Sequence, residues 1–480
     1  MARASRSSLL FLAISVYCLL VLPRMLSHGM FLDGIAHASI ARNMAEKYGS
    51  LWQPYYTATV YPTFYEQPPL GFWLQSWAYR LCGDTPYVEA LWGFFVGALI
   101  LVVLGGIWRR LQPQEAALSG VWFPLVLFVI TPMTSWAFSN NMLENTMTLF
   151  IVVAVYFCIV SLQNPTLLSA VLYGVLSGGS IFLAFLVKGP VAMFPLAVPL
   201  IAMISGGKKL ARGVVTTFVL ATTLALAFGL LFSMSTASAH FFTRYVRQQV
   251  LASVTGEREI SAARFNVLKV VGRENLVPLL AAGTLTAVLY RLQKSTISSI
   301  HTPLCLYYLG IALAGTLPIL ISVKQKRWYA FPALPFYSLA IAVAFNDIAL
   351  ALERRLDENK NMGKYITLFS SAILCMAIFF MLLEKDAFAR YKDFHHDLSL
   401  QYFTIPERSV ISVYPRELSM NWSLVANMQR KFKASLSETI GQDYLLTTKE
   451  YLNSESIPSH YKEISPSFDA KKYVVLRLEH

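Results

Sequence analysis

Long apolar runs that do not alternate with polar residues decide most of what this chain can fold into. A helix of about 18 or more apolar residues crosses the ~30 Å hydrocarbon core. Within that core every backbone polar group needs a partner in its own segment, so a continuous run is read as a spanning helix. Eleven spans are expected, at about 9–27, 87–108, 115–132, 143–162, 167–186, 190–205, 213–235, 275–291, 302–321, 328–348 and 365–384. The sixth is short and is interrupted by Pro190 and Pro195, so 167–186 and 190–205 read as a broken or re-entrant pair. Met1 to Ser8 carries two arginines and leads into the apolar run Leu9 to Leu22. Apolar character resumes after Pro23-Arg24 and no small-residue cleavage site follows, so this is a retained first helix rather than a signal peptide.

Composition agrees with a polytopic membrane protein. Charged residues make up 14% of the chain and hydrophobic ones 55%, where a soluble protein carries roughly 25% charged. The net charge of +13 is not a nucleic-acid signature, because most of the cations sit in short loops between apolar runs. With the N-terminus inside, Arg109–Arg110, Lys208, Lys209, Arg212, Arg291, Lys294, Arg354, Arg355, Lys360 and Lys364 all face the cytoplasm, as the positive-inside rule requires. Two outer segments break that rule. The 236–274 loop carries Arg244, Arg247, Arg258, Arg264, Lys269 and Arg273, and the short outer loop reads Val323-Lys324-Gln325-Lys326-Arg327-Trp328. Membrane-lipid headgroups or an anionic, phospholipid-like substrate account for positive charge there. The five cysteines show no pairing pattern and no CxxC spacing, which supports neither a disulfide framework nor a thiolate metal site.

Residues 385–480 differ in kind from residues 1–384. They are polar and alternate β-rich runs (Val410–Val413, Tyr444–Thr447, Tyr473–Leu478) with a helix-like stretch, Ser419–Lys431. A small α/β domain on the outer face is expected.

Chemistry-bearing residues gather on that predicted outer face. Asp33 follows the first span and precedes residues 35–47, whose apolar Ile35, Ala36, Ile40 and Met44 suggest an amphipathic helix in the interface. Asp33 is also placed to cap that helix. Glu66 precedes Gln67-Pro68-Pro69, and the prolines suit the first turn of a second interfacial helix. Two carboxylates on one loop suit acid–base work, or one of them serves a metal. Glu144 and Lys188 lie at outer ends of spans, where long charged side chains also snorkel at little cost. The run Gln248-Gln249 to Arg258 reads either as a polar substrate surface or as a plain interfacial helix and turn. Gly93 and Gly97 form a small-xxx-small pair suited to helix packing.

In order along the chain, Leu32-Asp33-Gly34, Tyr65-Glu66-Gln67-Pro68-Pro69-Leu70, Met142-Leu143-Glu144, Val187-Lys188-Gly189-Pro190 and Trp328-Tyr329-Ala330-Phe331-Pro332-Ala333-Leu334-Pro335 resemble the aminoarabinose-transferase-like branch of the GT-C membrane glycosyltransferases, relatives of the protein O-mannosyltransferases. The resemblance spans residues 10 to about 345. It implies an inverting glycosyltransferase, hexosyl or pentosyl, that takes its sugar from a polyprenyl-phosphate donor of the undecaprenyl type. The acceptor is a lipid A, glycolipid, glycan or protein at the outer face of the bacterial inner membrane, and the chain acts as a monomer. Asp33 is implied as the catalytic base with Glu66 beside it. Lys188, Lys324 and Arg327 are implied against the lipid phosphate, and Glu144, Tyr65, Arg247 and Gln248 in the substrate surface. Three departures stand out: Gly34 replaces a second acid, Gln67 replaces a lysine, and no histidine occupies the stretch Tyr245-Val246-Arg247-Gln248-Gln249-Val250. No cofactor is required on this reading, and Glu66 and His240 are the remaining candidates for a divalent metal.

Two other classes compete. A transporter or flippase of lipid-linked sugar would place ionisable residues near the midplane on discontinuous helices, whereas the middles of these spans are nearly free of charge. A membrane scaffold that only displays the tail would tolerate loss of Asp33 and Glu66.

Overall fold

The computed structural model describes residues 2–111, 119–206, 210–255, 265–293, 302–399, 405–452, 454, 457–464 and 470–479. Among them seven helices are long and apolar enough to cross a membrane: Arg6–Arg24, Val88–Arg110, Leu143–Gln163, Leu167–Lys188, Leu210–Ser233, Thr302–Ile321 and Asn361–Leu383. The first and last of these pack against each other, as do Leu143–Gln163 and Leu167–Lys188. The glycine pair works as expected at one such contact. A Cβ on Gly93 would lie 2.2 Å from the Phe138 carbonyl oxygen, and one on Gly97 2.4 Å from the Tyr17 hydroxyl.

Of the other four expected spans, three are broken or bent and one is a single, longer helix. Of 115–132, residues 115–118 lie outside the described residues; the rest forms Trp122–Val129 and Pro132–Phe138, parted at Thr131. A residue before proline is disfavoured in the α region, and Thr131 is extended at φ −62°, ψ 123°. The 190–205 run is a 3-10 stretch, Pro190–Ala197, followed by Val198–Gly206, as its prolines foretell. The helix expected at 275–291 runs from Asn266 to Gln293, and its charge at Glu274 is absorbed by a hydrogen bond from the Met133 amide, 2.7 Å away. The 328–348 run bends by 67° between Arg327–Ala344 and Asn346–Glu358. Counted as one span, that bent pair raises the seven to eight.

The tail forms a five-stranded sheet in the spatial order Ser435–Ser437, Val410–Val413, Tyr444–Thr448, Tyr473–Leu478, Tyr461–Glu463. The first two contacts are parallel and the rest antiparallel. The helix Trp422–Phe432 packs on this sheet and also on Leu32–Ala45. That second contact covers the helix expected after Asp33. Leu32–Ala45 is buried along most of its length, Arg42 included. The tail helix lies against it and Leu70–Cys82 packs on it as well. The Arg42 guanidinium donates to the carbonyls of Gln429 and Arg430, both at 3.0 Å, at the C-terminal end of the tail helix. Unpaired helix-end carbonyls are a suitable place for a cation. Arg430 in turn pairs with Asp84 at 2.8 Å and Glu89 at 3.1 Å.

Candidate active site

Asp33 sits in the first turn of Leu32–Ala45, whose N-cap is Phe31 with no side-chain cap hydrogen bond. It is therefore not the helix cap that its position in the sequence allowed. The turn is held from outside the helix. The Phe31 amide donates to Asn140 Oδ1 at 2.7 Å, and Asn141 Nδ2 donates to the Gly34 carbonyl at 3.0 Å. A Cβ on Gly34 would lie 1.9 Å from the Asn140 carbonyl oxygen. The acid missing beside Asp33 thus has no room here, because the backbone after span-end Phe138 passes directly over the glycine.

Asp33 lines a cavity of about 580 Å³ with His37, Tyr56, Tyr61, Glu66, Gln67, Lys188, Lys324, Lys326, Trp328 and Trp422 among its walls. Burial pushes the Asp33 carboxyl above the usual carboxylate range. Lys188, Lys324 and Lys326 pull it back, and Glu66 adds to the rise. His37, one turn further along the helix and 5% exposed, is driven by burial down to about 3 and is neutral. Glu66 accepts a hydrogen bond from the Tyr61 hydroxyl at 2.9 Å. Its segment is anchored where the Phe64 amide donates to the Pro54 carbonyl at 2.7 Å. Pro69 then caps Leu70–Cys82, the helix that the Pro-Pro pair announces.

Lys188 ends the span Leu167–Lys188, and its Nζ lies 2.6 Å from Glu144 Oε1. Glu144 is fully buried in the first turn of Leu143–Gln163. A charge so buried needs a partner, and Lys188 supplies it. Gly189 follows at φ +81°, and a Cβ there would come within 1.9 Å of the Tyr245 hydroxyl. The glycine lets the chain turn sharply, so that the lysine faces the cavity while Tyr245 closes behind it.

A second cavity of about 560 Å³ is lined mainly by apolar residues, among them Val191, Met193, Phe194, Leu196, Ala197, Ala314, Pro318 and Ile319. Glu66, Gln67, Lys188, Lys324 and Tyr329 line both cavities. The two spaces therefore meet at a ring of polar and cationic side chains.

Asp33, Glu66, Lys188 and Lys324 come together in the polar cavity, with Glu144 behind Lys188. Other expected residues do not line either cavity. The Arg327 guanidinium lies 5.0 Å over the Trp136 ring and leaves the cavity to Lys326. Tyr65 packs on Phe241 at 5.4 Å with Arg244 over its ring at 5.2 Å. Arg247 and Gln248 are exposed, and the cavity is lined by Tyr245, Gln249 and Ser253. Gln249 lies in a π-helical stretch, Val246–Leu251, between the α-helices that carry Tyr245 and Ser253, a local winding that a sequence does not announce. Gly256, Glu257 and Arg258 lie outside the described residues. His240 stands edge-on to Tyr65 at 6.3 Å, and no group of three His, Cys, Asp or Glu side chains suited to a metal occurs among the described residues. Trp422, brought in by the tail, and Tyr61 are wall residues that sequence reasoning missed; Tyr61 sits in a Tyr-rich loop with no motif, and Trp422 lies some 390 residues after Asp33.

The bundle of apolar spans, with its lysine-rimmed cavity and its tail sheet, has the fold of solved structures at low sequence identity. Residues 66–233 match the family model described as dolichyl-phosphate-mannose-protein mannosyltransferase. Among solved structures, ArnT from Cupriavidus metallidurans bound to undecaprenyl phosphate superposes with a TM-score of 0.64 at 16% identity, covering 97% of either chain. The oligosaccharyltransferase of Archaeoglobus fulgidus in its apo form gives 0.51 at 12% identity, over 93% of this chain and 70% of that one. At such identities the likeness is one of fold. No curated protein matches the sequence.

Proposed function

We propose that this chain transfers a sugar from a polyprenyl-phosphate donor to an envelope acceptor, with inversion, at the outer face of the bacterial inner membrane. One observation carries the reading: an apolar cavity and an acid-bearing cavity share a rim of Lys188, Lys324, Glu66, Gln67 and Tyr329. That is the shape of a ligand with an apolar tail, a charged joint and a hydroxyl-rich head. The lipid lies along the apolar cavity, the phosphate rests against Lys188 and Lys324 with Lys326 beyond, and the sugar occupies the Asp33 cavity.

Asp33 takes the proton from the acceptor hydroxyl as its oxygen bonds to the anomeric carbon. The bond from that carbon to the phosphate oxygen breaks, and its electron pair leaves with the lipid phosphate. Lysines fixed at the rim meet the charge that develops there, which is most effective where water is scarce. A raised carboxyl pKa makes Asp33 a better base than an ordinary aspartate, provided the pH lies above it. Glu66, held by Tyr61, orients the sugar or acceptor hydroxyls. The chemistry assigned to this chain's residues uses no metal.

The test replaces Asp33 with Asn and follows transfer from radiolabelled polyprenyl-phosphate sugars in proteoliposomes. Loss of transfer by about 10²–10⁴-fold, with binding of polyprenyl phosphate kept, is expected. Turnover equal to that of the unmodified protein would remove Asp33 from the reaction.

A further inference from the structure

The tail contributes one side chain to the reaction cavity, and its setting is specific. Trp422 opens the helix Trp422–Phe432, with Asn421 capping through its side chain to the Leu424 amide at 3.1 Å. Its ring stacks on Tyr61 with centroids 5.9 Å apart and 27° between planes. Both rings line the Asp33 cavity, and the Tyr61 hydroxyl is spent on Glu66. Trp422 nevertheless stays 42% exposed, although a tryptophan at a tight joint between two parts of a chain is ordinarily covered.

The joint is built to hold that ring still. Gln429 Nε2 donates to the Tyr56 carbonyl at 2.5 Å, the Ala58 amide donates to Ser435 Oγ at 2.9 Å, and Thr59 Oγ1 donates to the Leu436 carbonyl at 2.6 Å. These bonds fix the 56–61 loop to the tail helix through Gln429 and to the strand Ser435–Ser437 beside it. A flat aromatic face next to a carboxylate suits a saccharide, whose C–H face packs on a ring while its hydroxyls reach the acid.

Which saccharide is decided by position. Trp422 and Tyr61 do not line the apolar cavity, so they stand away from the end at which the lipid enters. Inverting displacement puts the acceptor on the side of the anomeric carbon opposite the departing phosphate. We infer that Trp422 and Tyr61 form the acceptor platform, and that the acceptor presents a sugar ring rather than a peptide side chain. This rests on the transferase reading above.

The experiment uses full-length protein in nanodiscs with radiolabelled polyprenyl-phosphate hexose, offered an alkyl disaccharide or a Ser/Thr-rich peptide. Trp422→Ala and Trp422→Leu are expected to raise the alkyl disaccharide KM roughly tenfold, the size of one interface anchor, and to shift the donor KM less than twofold. Trp422→Phe, which keeps a flat face, should stay within threefold of the unmodified protein. An equal effect of Leu and Phe would overturn the platform, since bulk alone would then suffice. Transfer to the peptide but not to the saccharide would overturn it as well. Absence of transfer to either acceptor from the unmodified protein, with no release of sugar to water, would instead defeat the transferase reading itself.

Discussion

The two cavities are nearly equal in volume, about 580 and 560 Å³, and are built in different ways. The apolar one is walled by ends of spans and by the 3-10 stretch Pro190–Ala197, with further apolar wall from Ala314, Pro318 and Ile319. The polar one is assembled from the first loop, the short Lys324–Tyr329 segment and the tail, pieces far apart in the chain and tied together by hydrogen bonds. A lipid chain asks only for shape and apolar surface, since dispersion and exclusion of water are not directional. Reacting groups ask for fixed polar partners, because placement to a fraction of an ångström sets the rate. The difference lies in how each wall is fastened.

The rim shared by both is where that contrast breaks most readily. Replacing Lys188 with Ala strands Glu144, and removing one partner of a buried ion pair costs about 3–5 kcal/mol; thermal unfolding in detergent should record it, together with loss of transfer. Pairing Lys188→Met with Glu144→Gln should recover the stability and not the transfer, which separates the structural use of the lysine from its use at the phosphate. On the polar side, Gly34→Ala drives a methyl group into the Asn140 carbonyl, and overpacking of this kind costs about 1–3 kcal/mol. A lowered unfolding temperature with reduced kcat is expected, and an unchanged one would show that the 140–141 turn yields. On the apolar side, Ala197→Phe should raise the KM of a long-chain donor by about tenfold, equivalent to some 1.4 kcal/mol, while a short-chain analogue is unaffected. Equal effects on both donors would mean that the lipid does not run along that wall.

The smallest effect concerns pH. The proposed reaction uses Asp33 as carboxylate, and burial raises its pKa, so transfer should fall as pH drops through that raised value. Lys324 is one of the cations that lower it. Lys324→Ala therefore should move the acid limb of the kcat/KM profile to higher pH. A shift to lower pH, or none, would place the lysine out of electrical contact with Asp33.

Much of this was legible in the chain. Apolar runs give the spans because a run long enough to cross a membrane satisfies its own backbone, and the tail strands at Val410–Val413 and Tyr473–Leu478 fall where β-rich runs predict them. Asp33, Glu66, Lys188 and Lys324 share a cavity because charge topology had already put them on one face. What failed depends on long-range contact. The helix after Asp33 shows its apolar Ile35, Ala36, Ile40 and Met44 in the sequence, but not that its Arg42 and Asn43 serve carbonyls of the tail and of Tyr55 and Tyr56. Gln248 and Gln249 cannot be told apart without knowing that the local winding is π. Arg327 is as basic as Lys326, and only the place of Trp136 decides which of them faces the cavity.

The bond from Ala58 to Ser435 joins residues 377 positions apart. During synthesis the first loop is finished long before the segment that will cover it has been translated. Until that segment arrives, the acidic loop has one wall absent. Assembly order alone then leaves the Asp33 cavity incomplete until the tail has folded against the first loop.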